Sequence, residues 1–134
     1  MIPNLIKSHK TYKGVINYQQ GNMKKAIFKF KYKKKKFNLK VAICDNLFSQ
    51  ARGLMFRKKS LPLLFIFKKA KRRAIHSFFC KPFIAIWFNG SKIIKIKDIK
   101  KPKFHILPDD KFNKLLEISA NNPEYKLFAD EEKV

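Results

Sequence analysis

Three groups of side chains in this sequence could do chemistry, and the cationic group dominates. The 134 residues hold 32 Lys or Arg against 9 Asp or Glu, a formal net charge of +23. Residues 1–97 carry 25 of the cations and one acid, Asp45, for a net of +24, whereas residues 98–134 carry 7 lysines and 8 acids, for −1. A stretch so stripped of carboxylates repels itself unless counterions or a partner screen it. It points to a polyanion, either nucleic acid or an anionic membrane surface. Compositional drift accounts for the abundant Lys, Ile, Phe and Asn, but not for the missing acids. Lysine is a compact point charge that suits phosphate better than a base edge, which favours bidentate Arg, Asn or Gln. The expectation is therefore DNA or RNA binding with little sequence preference, at dissociation constants on the order of 10⁻⁴–10⁻⁶ M. The residues expected to carry it are Lys29, Lys31, Lys33, Lys34, Lys35, Lys36, Lys68, Lys69, Lys71, Arg72, Arg73, Lys95 and Lys97, on outward strand positions or loop tips. Exposed aromatics could stack on unpaired bases, although most of the 14 phenylalanines are needed for a core.

The second group is His76, Cys80 and Cys44. His76 and Cys80 share one face of an expected strand at i, i+4, where metal ligands could converge. Phe78 stands between them, however, and no CxxC or HxxxH spacing supports a site. A core histidine beside small apolar cysteines explains them better, and nothing orients a Cys–His nucleophile pair. His9 and His105 are isolated. The third group would be a glycine-rich phosphate loop, and four glycines in the whole chain do not make one. No catalytic residue, metal or cofactor is expected, and the chain reads as a non-enzyme.

The elements that must position these residues are mostly strands. Residues 1–22 read as an N-terminal extension with one short strand near Val15–Tyr18, and residues 23–134 as a single domain. From Lys25 to Lys33, Ala26, Phe28, Phe30 and Tyr32 alternate with lysines, as in a half-buried strand. Phe37, Leu39, Val41 and Ile43 resume the alternation, which makes a hairpin with a lysine-loaded tip. Asp45 sits where a helix N-cap would, before Leu47, Phe48 and Ala51, with Gly53 as terminator. Leu61–Phe67 and Ile75–Cys80 read as strands separated by the basic cluster. Phe83–Phe88 is apolar on both faces, Asn89-Gly90 signals a tight turn, and Ser91–Ile99 places Ile94 and Ile96 opposite Lys95 and Lys97. Pro102 and Pro108 bound a loop before a last strand, Lys114–Ser119. The expectation is mainly β with one or two short helices: a small antiparallel β-barrel of about seven strands. No run of about 18 apolar residues could cross a membrane as a helix. The opening residues lack the apolar stretch of a signal peptide, so a cytoplasmic monomer is expected.

The stretch VAICDNLFSQARGLMFRKKSL, then LLFIF, then IHSFFCKPFIAIWFNGSKIIKI resembles the family called domain of unknown function 192. The resemblance rests on Gly53-Leu54-Met55-Phe56-Arg57 and on His76-Ser77-Phe78-Phe79, and covers roughly residues 38–134. The aromatic segment resembles that of archaeal-type members, in which it runs into Pro-Ile-Asp. The resemblance implies a compact, largely antiparallel β-barrel with one short helix packed against it, and no assigned activity. Here the proline is displaced to Pro82, and Ala85 replaces the family's acid. Within the motif, Gly53 would end the helix, Leu54, Met55 and Phe56 would fill the core, and Arg57 would cap nearby carbonyls. An alternative to nucleic-acid binding is a protein-interaction or structural module whose charge is compositional.

Overall fold

The computed structural model describes residues 15–20, 23–45, 61–77, 80–103 and 105–129. The helix expected after Asp45, the run Gly53–Arg57, and Phe78 and Phe79 lie outside them. Seven strands form one sheet: β1 (Val15–Gln20), β2 (Met23–Tyr32), β3 (Lys35–Cys44), β4 (Leu63–Lys71), β5 (Phe83–Asn89), β6 (Lys92–Ile99) and β7 (Phe112–Ser119). A single turn of helix, α1 (Tyr125–Phe128), follows. The spatial order is β1-β2-β3-β4-β7-β5-β6. The expected small antiparallel β-barrel is corrected on two points. β3 and β4 run parallel, with Ala42 beside Leu63 and Cys44 beside Phe65. Parallel neighbours need a long crossover, and residues 45–62 supply its length. The sheet also stays open: β1 and β6 are its edges, and no ladder joins them among the described residues.

Alternation builds two apolar layers, one on each face. Ala26, Phe28, Phe30, Leu39, Val41, Leu64, Ile84, Ile86, Phe88 and Leu116 point to one side. Phe28 of β2 meets Phe88 of β5 at 5.2 Å between ring centroids and 83°, although three strands separate β2 from β5 in the sheet. Such contact requires the sheet to curl over this layer, giving a half-barrel with a side-chain seam. Phe128 of α1 plugs the curl, 5.0 Å from Phe37 and 6.0 Å from Phe30. Nearby, the buried Asp98 accepts a 2.6 Å hydrogen bond from the Tyr125 hydroxyl. The outer layer contains Ala42, Leu63, Phe65, Phe83, Ala85, Trp87 and Leu115. It is covered by two connecting segments that meet at the Ile75–Ile106 bridge, each amide donating to the other's carbonyl at 2.8 Å.

Several local readings shift in the structure. The described residues of Ile75–Cys80 form no strand: apart from that bridge, they are held by Ser77, whose hydroxyl donates to the Lys101 carbonyl at 3.0 Å and accepts from the Lys103 amide at 2.7 Å. β4 runs on through Lys68, Lys69 and Lys71, so these lysines belong to a strand rather than to a loop. The β5–β6 turn is Gly90-Ser91, one residue later than Asn89-Gly90, with Gly90 at φ 63. A bulge moves the register from Trp87–Lys95 to Phe88–Ile93. It splits the isoleucines: Ile93 and Ile96 pack inward, Ile94 outward.

Candidate functional site

The strongest concentration of cationic chemistry is at the β2–β3 hairpin and the cleft beside it. Opposite neighbours on its outer face are Lys31 and Lys36, Lys29 and Asn38, and Ile27 and Lys40. Phe28, Phe30 and Phe37 hold the inner face, which forces Lys29, Lys31 and Lys36 outward, where they are exposed. Like charges set opposite each other are destabilising, and a phosphate between them relieves the repulsion. The tip is the two-residue turn Lys33-Lys34, at φ 50 and 66. A type I′ turn demands that left-handed backbone and normally recruits Asn-Gly. Here lysines occupy it, and Lys33 Nζ lies 5.5 Å from the Tyr32 ring centroid.

A cleft of about 450 Å³ opens where the hairpin faces the β5–β6 turn. Phe28, Phe30, Phe37 and Phe88 make its apolar wall, and Lys29, Lys31, Lys36 and Lys114 its cations, with no acid in the lining. The β1–β2 ladder ends at Val15–Phe28, so Lys29–Tyr32 have no described strand neighbour on that side and residues from both faces of β2 reach the cleft. Lys114 shares the inward face of β7 with Leu116 and Ile118. It is 6% exposed, and its Nζ donates to the Gly90 carbonyl at 3.0 Å. The neighbouring Asn113 accepts from the Gly90 amide at 3.0 Å. Two consecutive residues of β7 therefore fix the turn at the cleft mouth.

The remaining predicted cations are not gathered there. Lys68, Lys69 and Lys71 are exposed on the far part of β4. Arg72 Nε donates to the Pro108 carbonyl at 3.0 Å, and Arg73 stacks with its guanidinium carbon 4.1 Å from the Phe67 ring centroid. Both arginines hold their own chain. Lys95 lies 3.9 Å from Asp109, and Lys97 is half-buried on β6. Sequence reasoning missed Lys114, although its parity with Leu116 and Ile118 is a readable signal.

Of the residues weighed as metal ligands, Cys44 ends β3, whereas His76 and Cys80 lie between β4 and β5. His76 is exposed rather than a core histidine, and it shares no strand with Cys80. No group of three or more His, Cys, Asp or Glu side chains gathers among the described residues. Asp45 pairs with Lys24 at 3.0 Å. The unanticipated group is Glu117, 5% exposed on the outward face of β7, whose carboxyl burial pushes up to about 8. Burial and the Glu117 charge together push the Cys80 thiol up to about 11, which keeps it in its unreactive protonated form at neutral pH. Glu117 lies beside Ala85 in the β5–β7 register.

No protein-family model matches the chain, and no curated protein does. Among solved structures, it is similar to a protein of unknown function from Novosphingobium aromaticivorans, at TM-score 0.68 and 14% identity, over 91% of each chain. It is also similar to a candidate transcription regulator from Sinorhizobium meliloti, at TM-score 0.61 and 17% identity, over 69% of this chain and 77% of that one. At these identities the likeness concerns the fold. No helix among the described residues is long and apolar enough to cross a membrane.

Proposed function

We propose that this chain is a non-enzymatic member of the domain of unknown function 192 family that holds nucleic acid through phosphate contacts of the β2–β3 hairpin, with little sequence preference. The observation that carries the reading is the run from Met23 to Cys44, which has nine lysines and no acid. Of these, Lys29, Lys31, Lys33, Lys34, Lys35, Lys36 and Lys40 are exposed. Seven ammonium groups on one hairpin can meet phosphates, and counterion release on binding supplies the affinity. Lysines at an edge also deter aggregation, and the salt dependence of binding separates that role from phosphate contact. The fold likeness to a candidate transcription regulator is compatible with this reading. The test replaces Lys33, Lys34, Lys35 and Lys36 with Gln. Each phosphate that the hairpin no longer engages should flatten the dependence of log affinity on log salt by about one unit. An unchanged slope and affinity would refute the assignment to the hairpin.

A further inference from the structure

We infer that the β2–β3 hairpin docks B-form duplex DNA, its outward face entering the major groove with Asn38 toward the base edges. The inference rests on the phosphate-binding reading of the hairpin and adds to it the kind of nucleic acid and the groove. From the Lys29–Asn38 pair to the Tyr32–Lys35 pair, the hairpin has two strands and no third beside them among the described residues. The β1 ladder stops at Phe28, and the β4 ladder begins only at Ala42. The arm is therefore a ribbon whose backbones lie about 5 Å apart. The major groove of B-form DNA, about 12 Å wide, admits such a ribbon, whereas the minor groove, about 6 Å wide, does not. In duplex RNA the major groove is deep and narrow, and side chains cannot read it.

The two faces of the arm have separate tasks. Phe28, Phe30 and Phe37 turn inward, Phe30 stacking on Phe37 at 5.1 Å and Phe37 packing against Phe128 at 5.0 Å. These rings belong to the core and hold the ribbon against the body of the protein. The outward face carries Lys29, Lys31, Lys36, Asn38 and Lys40, all exposed. Lys29 and Lys31 stand on one strand and Lys36 and Lys40 on the other, so each wall of the groove, with its row of phosphates, meets a row of cations. No acid between Met23 and Cys44 opposes that contact. Asn38 lies between Lys36 and Lys40 along β3 and opposite Lys29, and it is the uncharged side chain among them. Its amide offers a donor and an acceptor together, the complement of the N7 and N6 groups of adenine in the major groove. One amide reads one base pair, which agrees with little sequence preference.

The test uses the full chain and three labelled duplexes of about twenty base pairs, two helical turns, read by fluorescence anisotropy. They are a DNA duplex, an RNA duplex of the same sequence, and the DNA duplex with glucosylated 5-hydroxymethylcytosine in place of cytosine. The glucose units fill the major groove and leave the phosphates as they were. The plain DNA duplex should bind about tenfold more tightly than either of the others. Asn38→Ala, which keeps every lysine, should lower affinity for plain DNA about tenfold and leave that for the RNA duplex unchanged. Equal affinity of the unmodified protein for plain and glucosylated DNA would overturn the groove assignment, even if the variant fails to fold. If all three duplexes bind equally with steep salt dependence, the groove falls and the phosphate reading stands. If none binds, both fall.

Discussion

Glu117 is a carboxyl group buried on the outward face of β7. It sits between Leu63 and Ala85 in the register of β4, β7 and β5, with the Cys80 thiol nearby. Its folded pKa, about 8, lies above the ordinary 4.5, so the folded state favours the protonated carboxyl. The contribution to stability is then fully present below pH 4.5 and is lost as pH rises through about 8. Within that window each pH unit removes at most about 1.4 kcal/mol. Glu117→Gln keeps the neutral form and removes this slope. Thermal unfolding at pH values spanning about 5 to 8 should find the variant flat where the parent declines, and parallel curves would contradict the assignment. Neither Lys114 nor Glu117 stands out by composition. Their significance comes from neighbours distant in the chain, although the alternation of β7, Lys114 with Leu116 and Ile118 against Leu115 with Glu117, already divides them between faces.

At the scale of elements, the β2–β3 hairpin was legible because period-two alternation and aromatic content agree over ten residues on each side. The turn itself was not, since Lys33-Lys34 carries none of the usual signals for positive φ. Left-handed backbone costs a residue with a side chain about 1–2 kcal/mol. Lys33→Asn with Lys34→Gly should therefore stabilise the protein by about 1–2 kcal/mol in urea unfolding, and a loss of stability would show that the lysines hold the tip by contacts. The other misreadings have local causes. The bulge opposite Trp87 and Phe88 inserts Ile94 and breaks strict alternation in β6. Lys68–Lys71 looks like a loop by charge, yet an exposed strand end tolerates any solvated side chain. Ile75 and Cys80 are apolar because they pack against the outer layer, not because they pair along a ladder.

For the whole molecule, the β class follows from the sequence, whereas the parallel β3–β4 pair, the central position of β7 and the open seam do not. Those depend on pairings between residues tens of positions apart, which no local period encodes. The seam replaces a closing ladder with rings: Phe88 touches Phe28 at 5.2 Å and Phe30 at 5.4 Å. Phe88→Ala should cost about 3–5 kcal/mol, as truncation of a fully buried phenylalanine does. A destabilisation well below that would mean that the curl is held elsewhere. The positive charge belongs to this scale too, because affinity for a polyanion is set by how many phosphates the folded surface meets at once. Salt dependence of duplex binding by the unmodified chain measures that number directly. With about six phosphates engaged, affinity should fall roughly 10³-fold between about 50 and 200 mM salt. A flat curve across that range would contradict nucleic-acid binding by the lysine hairpin.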